Sequence, residues 1–290
     1  PTLKRLLLKE IDTAFVGLDG RYYGRLSGHG TPHVALRRAQ YTCQGDAAFT
    51  LALAQNLVRG KLHNQRAWLQ QRARDAQSGS EMQLELRGAI DDLDAYHASA
   101  GRKQTLNALR GVEGSATARY FSALRVILKP PWRWRGRNRR PPRDPVNVLL
   151  SLGYTLMTQS AVSAAELVGL DPYVGFLHSD AYNRPSLALD LVEEFRSVVD
   201  GLVIHACHHQ LVKPGDFREG DRDAGERPVE LDREAARRFI QAFEKRMRRI
   251  NVHPRTRERM PFWRFVELQA REMARCLRER QPDYRAIRFR

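Results

Sequence analysis

Cysteine is scarce in this 290-residue chain. The three cysteines, Cys43, Cys207 and Cys276, lie far apart in the sequence. An odd number at such distances excludes a disulfide framework and is typical of a protein kept in a reducing cytoplasm. No apolar run reaches the length needed to cross a bilayer, and the N-terminus lacks the pattern of a signal peptide. We therefore expect a cytoplasmic protein that does not enter a membrane.

Several motifs of common enzyme classes are also missing. The chain contains no GxxxxGK, GxGxxG, GxSxG or HExxH sequence. These patterns cradle phosphates, bind dinucleotides, activate a serine or hold zinc. Their absence argues against the enzyme classes that depend on them. No internal repeat is visible either.

Acidic residues are too few to balance the basic ones. The chain has 49 Lys and Arg against 33 Asp and Glu, a formal net charge of +16, and only seven of the basic residues are lysine. Hydrophobic residues make up 42% of the chain, which excludes wholesale disorder. Because the excess charge is clustered, it predicts a polyanionic partner, with nucleic acid as the default. An arginine-rich genome is the alternative explanation.

The hydrophobic pattern is helical from about residue 37 onward, with apolar residues recurring at spacings of three and four. The only convincing β segment is 13–26, where two short strands would flank a turn at Asp19 and Gly20. The fold class is therefore predicted to be mainly α, with a small β segment within 1–36 and an all-helical domain over 37–290. The predicted helices are 37–58, 64–76, 82–98, 104–128, 147–168, 187–210, 233–250 and 261–280.

A basic loop interrupts this pattern at 129–145, where five prolines and a glycine forbid a continuous helix. Arginine matches phosphate oxygens, and indole rings can stack on unpaired bases. The alternative is a solvated loop that its tryptophans anchor to the core. The residues predicted to contact nucleic acid are Trp132, Arg133, Trp134, Arg135, Arg137, Arg139, Arg140 and Arg143, together with Arg119 and Tyr154.

Glu113 occupies an unusual place on the helix predicted at 104–128. At 100° per residue, Leu109, Ala116 and Tyr120 fall on the same side of that helix as the carboxylate. A carboxylate on an apolar stripe needs a partner, because burying it alone costs several kcal/mol. Glu113 is therefore either paired with an arginine such as Arg119 or serves as a metal ligand or general base.

A second acidic group lies in the helix predicted to begin near residue 187. Asp190 and Glu193 are three residues apart, so their carboxylates are neighbours on a helix. They repel each other unless a cation lies between them, and oxygen ligands favour Mg²⁺ or Mn²⁺. An acidic, solvated helix face is the alternative. His178 precedes this helix and could complete a set of ligands for one divalent ion.

The cluster from His205 to His209 is a weaker candidate for a metal site. No second pair of Cys or His lies at zinc-finger spacing, and consecutive helix residues point in different directions. We therefore favour Glu113, His178, Asp190 and Glu193 as the functional group.

Seven stretches, in this order, resemble the CRISPR-associated endonuclease and integrase family Cas1. They span about 17–200, and their order and spacing make the resemblance specific, since no single stretch would suffice. The stretches are LDGRYYGRLSG, LRRAQY, NQRAWL, LRGVEGSATARYF, NRRPPRDPVNVLLSLGYTLM, ELVGLDPYVGFLH and RPSLALDLVEEFR.

The resemblance implies a role for each candidate residue. Glu113 lies in the block where the family has its first metal-binding glutamate, and His178 ends the block with the family's histidine. The metal carboxylates of the next helix correspond to Asp190 and Glu193, whose relative roles stay open. The implied metal ligands are Glu113, His178 and Glu193, with Mg²⁺ or Mn²⁺ bound, and all four residues are implied to be catalytic.

The resemblance also implies a reaction and partners. A prespacer 3′-hydroxyl would attack a phosphodiester at a CRISPR repeat boundary in double-stranded DNA, with a Cas2 protein as partner and a homodimer as the expected assembly. Members of the family begin with a β-rich domain, so 1–36 is interpreted as its truncated end and linker. A fused or associated reverse transcriptase is a further expectation. The rival hypotheses are a generic metal-dependent DNA nuclease, a non-catalytic nucleic-acid-binding subunit and a helical scaffold for an acidic protein.

Overall fold

The structure is a computed structural model that describes residues 2–9, 11, 13–17, 22–26, 33–128, 130–132, 134–138, 141–220 and 228–289. Its ten helices in the described residues are α1 Thr2–Leu8, α2 Val34–Gly45, α3 Ala47–Asp75, α4 Glu81–Ala100, α5 Leu106–Ile127, α6 Pro145–Val168, α7 Ser186–Val192, α8 Arg196–His208, α9 Arg233–Arg248 and α10 Trp263–Glu279. Short 3₁₀ turns span Glu193–Phe195 and Pro214–Asp216. The prediction of a mainly α fold is confirmed.

Three small antiparallel strand pairs accompany the helices in the described residues. The first lies within the predicted β segment, although its predicted turn at Asp19 and Gly20 falls outside the described residues. The other two pairs have strands of only three residues, too short to leave an alternating pattern in the sequence. The pairs are β1 Thr13–Val16 with β2 Tyr22–Leu26, β3 Phe217–Glu219 with β4 Val229–Leu231, and β5 Ile250–Val252 with β6 Arg259–Pro261.

Helix α6 lies in the middle of the core. Asp144 caps its start by accepting a hydrogen bond from the Asn147 amide at 2.9 Å, and Gly169 ends it with a φ of 92°. The helix packs on α7, α8 and α10. It is the one described helix long and apolar enough to span a bilayer, but most of that apolar stretch is buried inside the fold. This burial is typical of the core helix of a folded domain.

The helices α3, α4 and α5 form a second layer that packs in sequence order. The predicted break between residues 58 and 64 is wrong, because α3 runs unbroken across it. The real break is at Asp46, whose carboxylate accepts hydrogen bonds from the amides of Ala48 and Phe49 and so starts α3. Gly60 lies within the unbroken helix, where the C-terminal segment crosses it.

The predicted helix 187–210 is also divided. A 3₁₀ turn at Glu193–Phe195 separates α7 from α8. The acidic side of this region is not solvated, since Asp190, Glu193 and Glu194 are at most 3% exposed. The alternative of an acidic, solvated face is therefore wrong, and each of these carboxylates has partners inside the protein.

Candidate metal centre

Glu113 lies on α5 at the edge of the core, with about a quarter of its side chain exposed. Its carboxylate forms an ion pair with Lys61 of α3 and accepts a hydrogen bond from the Thr117 hydroxyl at 2.9 Å. Arg119, the partner that the sequence suggested, instead pairs with Glu85 and Asp92 of α4. Gly111 and Gly114 flank the glutamate, yet no described atom lies within 4 Å of the Cβ that either residue lacks. The helix surface beside the carboxylate is therefore open.

Asp190 is completely buried and acts as an acceptor for the segment before α7. Its carboxylate receives hydrogen bonds from the backbone amides of Phe176, Leu177 and His178 at 2.6, 3.0 and 3.0 Å. It also lies 2.7 Å from Nδ1 of the His178 ring. These contacts occupy both carboxylate oxygens. Asp190 is thus a positioning residue for His178, which leaves Nε2 of that ring as the atom available to a ligand.

Glu193 faces the opposite side of the same ring. One carboxylate oxygen, Oε1, lies 3.8 Å from Nε2 of His178 and receives hydrogen bonds from Arg196 at 2.7 and 2.8 Å. The other oxygen, Oε2, lies 2.6 Å from Nζ of Lys61. That contact lacks hydrogen-bond geometry, so Oε2 is a buried acceptor with no hydrogen bond in the described part of the chain. The structure therefore separates the two roles that the sequence leaves open. Asp190 orients the ring of His178, and Glu193 directs a carboxylate oxygen toward Lys61.

Lys61 is the residue that sequence reasoning missed. It lies on α3 with 1% of its side chain exposed, and its ammonium group bridges Glu113 and Glu193. The signal was present, because Lys61 follows Leu57 and Val58 and precedes Leu62 on the apolar side of α3. Glu113 was predicted to be functional because it is a charged residue on the apolar side of its helix. Lys61 has the same position on α3, so the same reasoning predicts it.

The charges around the two glutamates set their protonation. Burial alone would raise the pKa of Glu113, but the charge of Lys61 and hydrogen bonds from Lys61 and Thr117 lower it below its usual value. Burial also opposes ionisation of Glu193, yet Arg196, Lys61 and His178 hold its pKa well below the usual range. Both carboxylates are therefore ionised at neutral pH, the form that binds a cation.

The ligand atoms that these side chains offer are of the kind that binds a hard divalent cation. Glu113 and Glu193 offer carboxylate oxygens, and His178 offers Nε2, a set typical of Mg²⁺ or Mn²⁺ sites with a nitrogen ligand. Across the described residues, no three His, Cys, Asp or Glu side chains already stand at coordination distances. Glu113 and Glu193 both contact the ammonium group of Lys61, and Oε2 of Glu193 lies 2.6 Å from it. This shared position indicates where a cation would be held.

A match to a family model and two kinds of relative decide the identity of this fold and site. Residues 1–245 match the family described as CRISPR associated protein Cas1. The chain is 36% identical to "CRISPR-associated endonuclease Cas1 3" of Thermus thermophilus, over 97% of this chain and 80% of that protein. The chain belongs to the Cas1 family. Its curated relatives carry names of CRISPR-associated endonucleases.

Some relatives join Cas1 to other domains. A Rhodospirillum rubrum protein named as a Cas4 exonuclease and Cas1 endonuclease fusion is 34% identical over 98% of this chain, which spans about half of that protein's length, 48%. Among solved structures, a chain of the "Cas6-RT-Cas1--Cas2 complex" superposes with a TM-score of 0.83 at 25% identity. That match covers 98% of this chain and 30% of the other chain.

The predicted nucleic-acid contacts of this Cas1 chain divide into four groups. Trp132 and Trp134 are at most 6% exposed, and they meet Phe217 and Phe121 edge to face. The geometry therefore corrects the stacking hypothesis in favour of anchoring, because large apolar rings gain more from burial than from solvent. In the second group, Arg135 and Arg143 are exposed. The third group, Arg133, Arg139 and Arg140, lies outside the described residues.

Each of three further candidates is held by other residues of the protein. Arg119 forms ion pairs with Glu85 and Asp92 of α4 at 2.5 and 2.6 Å, which leaves it committed to helix packing. Arg137 donates to the Asn147 side chain at 2.8 Å and lies over the ring of Tyr154. Tyr154 is 9% exposed, because it lies within the core helix α6. The buried position of Tyr154 corrects its assignment as a direct nucleic-acid contact. Arg119 and Arg137 are only partly buried, and their contact with nucleic acid stays a prediction.

Tyr154 belongs instead to a buried network behind Glu193. Its hydroxyl donates to Asp200 of α8, which also accepts from Tyr120 of α5 at 3.0 Å. The guanidinium of Arg196 lies 4.7 Å from the centre of the Tyr154 ring. Arg196 also binds Glu193. The network therefore fixes the arginine that orients the candidate metal carboxylate.

The cluster from His205 to His209 does not form a competing metal site. The centres of the His205 and His209 rings lie 4.2 Å apart with the rings tilted by 40°, and Cys207 is buried in the core. No triad of metal-binding side chains forms there in the part of the chain that the structure describes.

Proposed function

We propose that this Cas1 chain is a metal-dependent DNA integrase and endonuclease of CRISPR adaptation. It would join the 3′-hydroxyl ends of a prespacer to a CRISPR repeat by transesterification. The observation that carries the proposal is that Glu113 and Glu193 share the ammonium group of Lys61, while Nε2 of His178 lies 3.8 Å from Oε1 of Glu193. Two ionised carboxylates and an imidazole support hydrolytic or transfer chemistry on phosphodiesters.

Glu113, His178 and Glu193 are the proposed ligands for Mg²⁺ or Mn²⁺. When bound, the ion supplies Lewis acidity, which makes the attacking hydroxyl more acidic and stabilises charge that develops on the phosphate. The protein's own contribution is orientation. Asp190 fixes the ring of His178, and Arg196 fixes the carboxylate of Glu193.

The proposed step conserves the number of phosphodiester bonds. The prespacer 3′-oxygen forms a new bond to phosphorus and loses its proton, while the bond from phosphorus to the 3′-oxygen of the repeat breaks and that oxygen gains a proton. No covalent intermediate with the enzyme is needed. Attack by water at the same site would instead cut the strand, which accounts for endonuclease activity.

The basic surface is proposed to hold double-stranded DNA, both prespacer and repeat. Of the loop arginines that the structure describes, Arg135 and Arg143 are exposed and available to phosphate. A Cas2 protein, a second copy of this chain and a fused or associated reverse transcriptase are the proposed partners. The similarity of this chain to part of the Cas6-RT-Cas1--Cas2 complex supports a Cas2 protein and a reverse transcriptase as partners. The proposed location is the cytoplasm.

The test is strand transfer of a labelled prespacer into a plasmid that carries a CRISPR repeat, with Mn²⁺ present. We expect Glu113→Ala to lose integration by at least about a hundredfold, since removing a metal ligand removes the cation that the reaction uses. Glu244→Ala is the matched control, because Glu244 is a largely exposed glutamate on α9 whose one ion pair is at 3.6 Å. Integration by Glu113→Ala at the wild-type rate would overturn the proposal.

The same assay separates the rival functions. A generic nuclease would cut the plasmid without preference for the repeat boundary, and Glu113→Ala would abolish that cutting. A non-catalytic subunit would bind DNA and give neither product, with or without Mn²⁺. Site-specific insertion that depends on Glu113 is expected of the integrase alone.

A further inference from the structure

A cavity of about 730 Å³ lies apart from the candidate metal centre, between α3, α8, α9 and the β5–β6 pair. Four basic side chains line it, and none of its described lining residues is a carboxylate. None of the candidate metal ligands lines it either. A concave site with one sign of charge concentrates ligands of the opposite sign. The basic lining residues are Lys245, Arg246, Arg249 and Arg257.

Arg246 is the least satisfied of these cations. Its Nη1 is buried without a hydrogen-bond partner in the described part of the chain. The side chain lies over the ring of Phe262, with the guanidinium carbon 4.1 Å from the ring centre. Burial and the like charge of Arg249 lower its pKa. Native proteins seldom bury a guanidinium without a counter-charge, so its missing partner is expected to come from a ligand.

The opposite wall of the cavity carries an indole ring. Trp68 of α3 lies directly against the backbone of α8 at Gly201, where a Cβ would come within 2.8 Å of the indole Nε1. The missing side chain at Gly201 therefore allows the ring to reach the cavity wall. An aromatic ring and a cation that line the same cavity are the combination that binds a base together with its phosphate.

The rim of the cavity is formed by the turn between β5 and β6. Arg257 has a φ of 65° there, a left-handed conformation that side-chain-bearing residues rarely adopt. Its amide donates to the His253 carbonyl at 3.0 Å, which holds the turn in place. Disfavoured backbone conformations that surrounding contacts enforce are concentrated at binding sites.

We propose that this cavity is a second nucleic-acid subsite, which takes one nucleotide of a single-stranded DNA end, with its phosphate on Arg246 and its base against Trp68. The inference rests on the proposed function in one respect, that the ligand is DNA. It adds a site for a strand end that is distinct from the metal centre.

The test measures binding of a fluorescent thymidine decamer by anisotropy, in EDTA so that no metal-dependent step contributes. We expect Arg246→Gln to weaken binding about tenfold, the effect of losing one charge-assisted hydrogen bond. Arg237→Gln is the matched control, since it removes the same charge from the exposed face of α9 outside the cavity. That control is expected to stay within about twofold of wild type.

A loss of folding is not expected to cause the weaker DNA binding of Arg246→Gln. Arg246 has no ion pair to lose among the described residues, so Arg246→Gln is expected to melt at the wild-type temperature or above. Equal weakening by Arg246→Gln and Arg237→Gln would overturn the subsite, because it would show a general effect of charge. Competition with thymidine monophosphate and with inorganic phosphate tests the base contact. If both compete equally, the role of Trp68 is overturned.

The two proposals fail separately. A cavity variant that binds the decamer as wild type does overturns the subsite and leaves the integrase proposal standing. Integration by Glu113→Ala overturns the integrase proposal and leaves the metal-free binding result standing.

Discussion

An ammonium group between two carboxylates is the central feature at the scale of residues. Lys61 neutralises Glu113 and Glu193 at the position where a divalent cation is proposed to bind. Without a cation there, the two carboxylates would repel each other across a partly desolvated site. Lys61 therefore lets the site fold in the absence of metal, and it must move aside or share the carboxylates when metal arrives.

Replacing Lys61 with methionine keeps most of the side-chain volume and removes the charge. We expect the free energy of unfolding in EDTA to fall by about 3 kcal/mol, because breaking a buried ion pair leaves its partners uncompensated. Added Mn²⁺ should restore more stability to Lys61→Met than to the wild type, since the metal replaces the lost charge. Urea denaturation with and without Mn²⁺ measures both effects.

Lys213→Met is the control for this change. Lys213 is exposed and forms no ion pair among the described residues, so its substitution is expected to change stability by less than about 0.5 kcal/mol. If Lys61→Met unfolds at the wild-type urea concentration in EDTA, Lys61 does not hold the two glutamates.

The sequence allowed part of this site to be predicted. Glu113 was predicted from its place on an apolar stripe, Asp190 and Glu193 from their spacing, and His178 from its position before their helix. The resemblance to Cas1 implied the same four residues. The separate roles of Asp190 and Glu193 could not be read from their spacing, because a 3₁₀ turn begins at Glu193 and changes its direction. Lys61 lies 52 residues from Glu113, so their contact depends on how α3 packs on α5.

At the scale of elements, two glycines within helices differ in how closely other segments pack against them. Gly60 of α3 faces Ala286, and a Cβ at Gly60 would lie 2.3 Å from the Cβ of Ala286. Gly111 of α5 has no described atom within 4 Å of the same position. The sequence pattern does not distinguish them, since only the packing of the C-terminal segment on α3 makes one glycine necessary.

Alanine substitutions at these glycines should therefore have opposite effects. Gly111→Ala is expected to stabilise the protein by about 0.5–1 kcal/mol, the helix propensity that alanine adds. Gly60→Ala is expected to destabilise it by roughly 1–3 kcal/mol, because the overpacked methyl forces the C-terminal segment away. Urea denaturation measures both variants. Stabilisation by Gly60→Ala would contradict the close approach.

A buried aspartate connects three helices and should make stability depend on pH. Asp200 of α8 accepts hydrogen bonds from Tyr120 of α5 and Tyr154 of α6. Burial raises its pKa to about 6, although both tyrosines and the charges of Arg196 and Arg137 act in the other direction. The folded protein therefore favours the protonated carboxyl. The stabilisation is present at low pH and is lost as the pH rises through about 6.

Asp200→Asn removes this titration while keeping the shape of the side chain. Between pH 5 and 7.5, the stability of the wild type should fall relative to Asp200→Asn by roughly 1–2 kcal/mol, since one unit of pKa difference is worth about 1.4 kcal/mol. Urea denaturation across this range measures the difference. Parallel pH profiles for the two proteins would show that Asp200 has an ordinary pKa.

At the scale of the whole molecule, the acidic and basic residues have separate tasks. Many carboxylates are internal partners: Glu113 and Glu193 at the proposed metal centre, Glu267 and Glu272 among the arginines on and around α10. Other arginines lie on the surface and line the basic cavity. The net charge of +16 predicted a polyanionic partner, but it could not show that the loop tryptophans are core residues.

The C-terminal segment crosses α3 beside the proposed metal centre. Its backbone is bound by Asn64, whose amide donates to the Ile287 carbonyl at 2.9 Å, and by Glu194, which accepts from the Ile287 amide at 2.5 Å. Because Glu194 follows the proposed ligand Glu193, the segment supports the turn that carries that ligand. Ile287 itself is 4% exposed.

Ile287→Ala tests whether this distant end of the chain supports the site. We expect a loss of about 2–4 kcal/mol in unfolding free energy, the cost of a cavity in a packed core, while exposed Arg288→Ala stays within about 0.5 kcal/mol. Loosening of the segment should also weaken Mn²⁺ binding, because the turn at Glu193–Phe195 loses a backbone contact on its inner side. Urea denaturation and calorimetric Mn²⁺ titration give the two readouts. Lower stability with unchanged Mn²⁺ affinity would mean that the segment stabilises the fold without positioning the ligand.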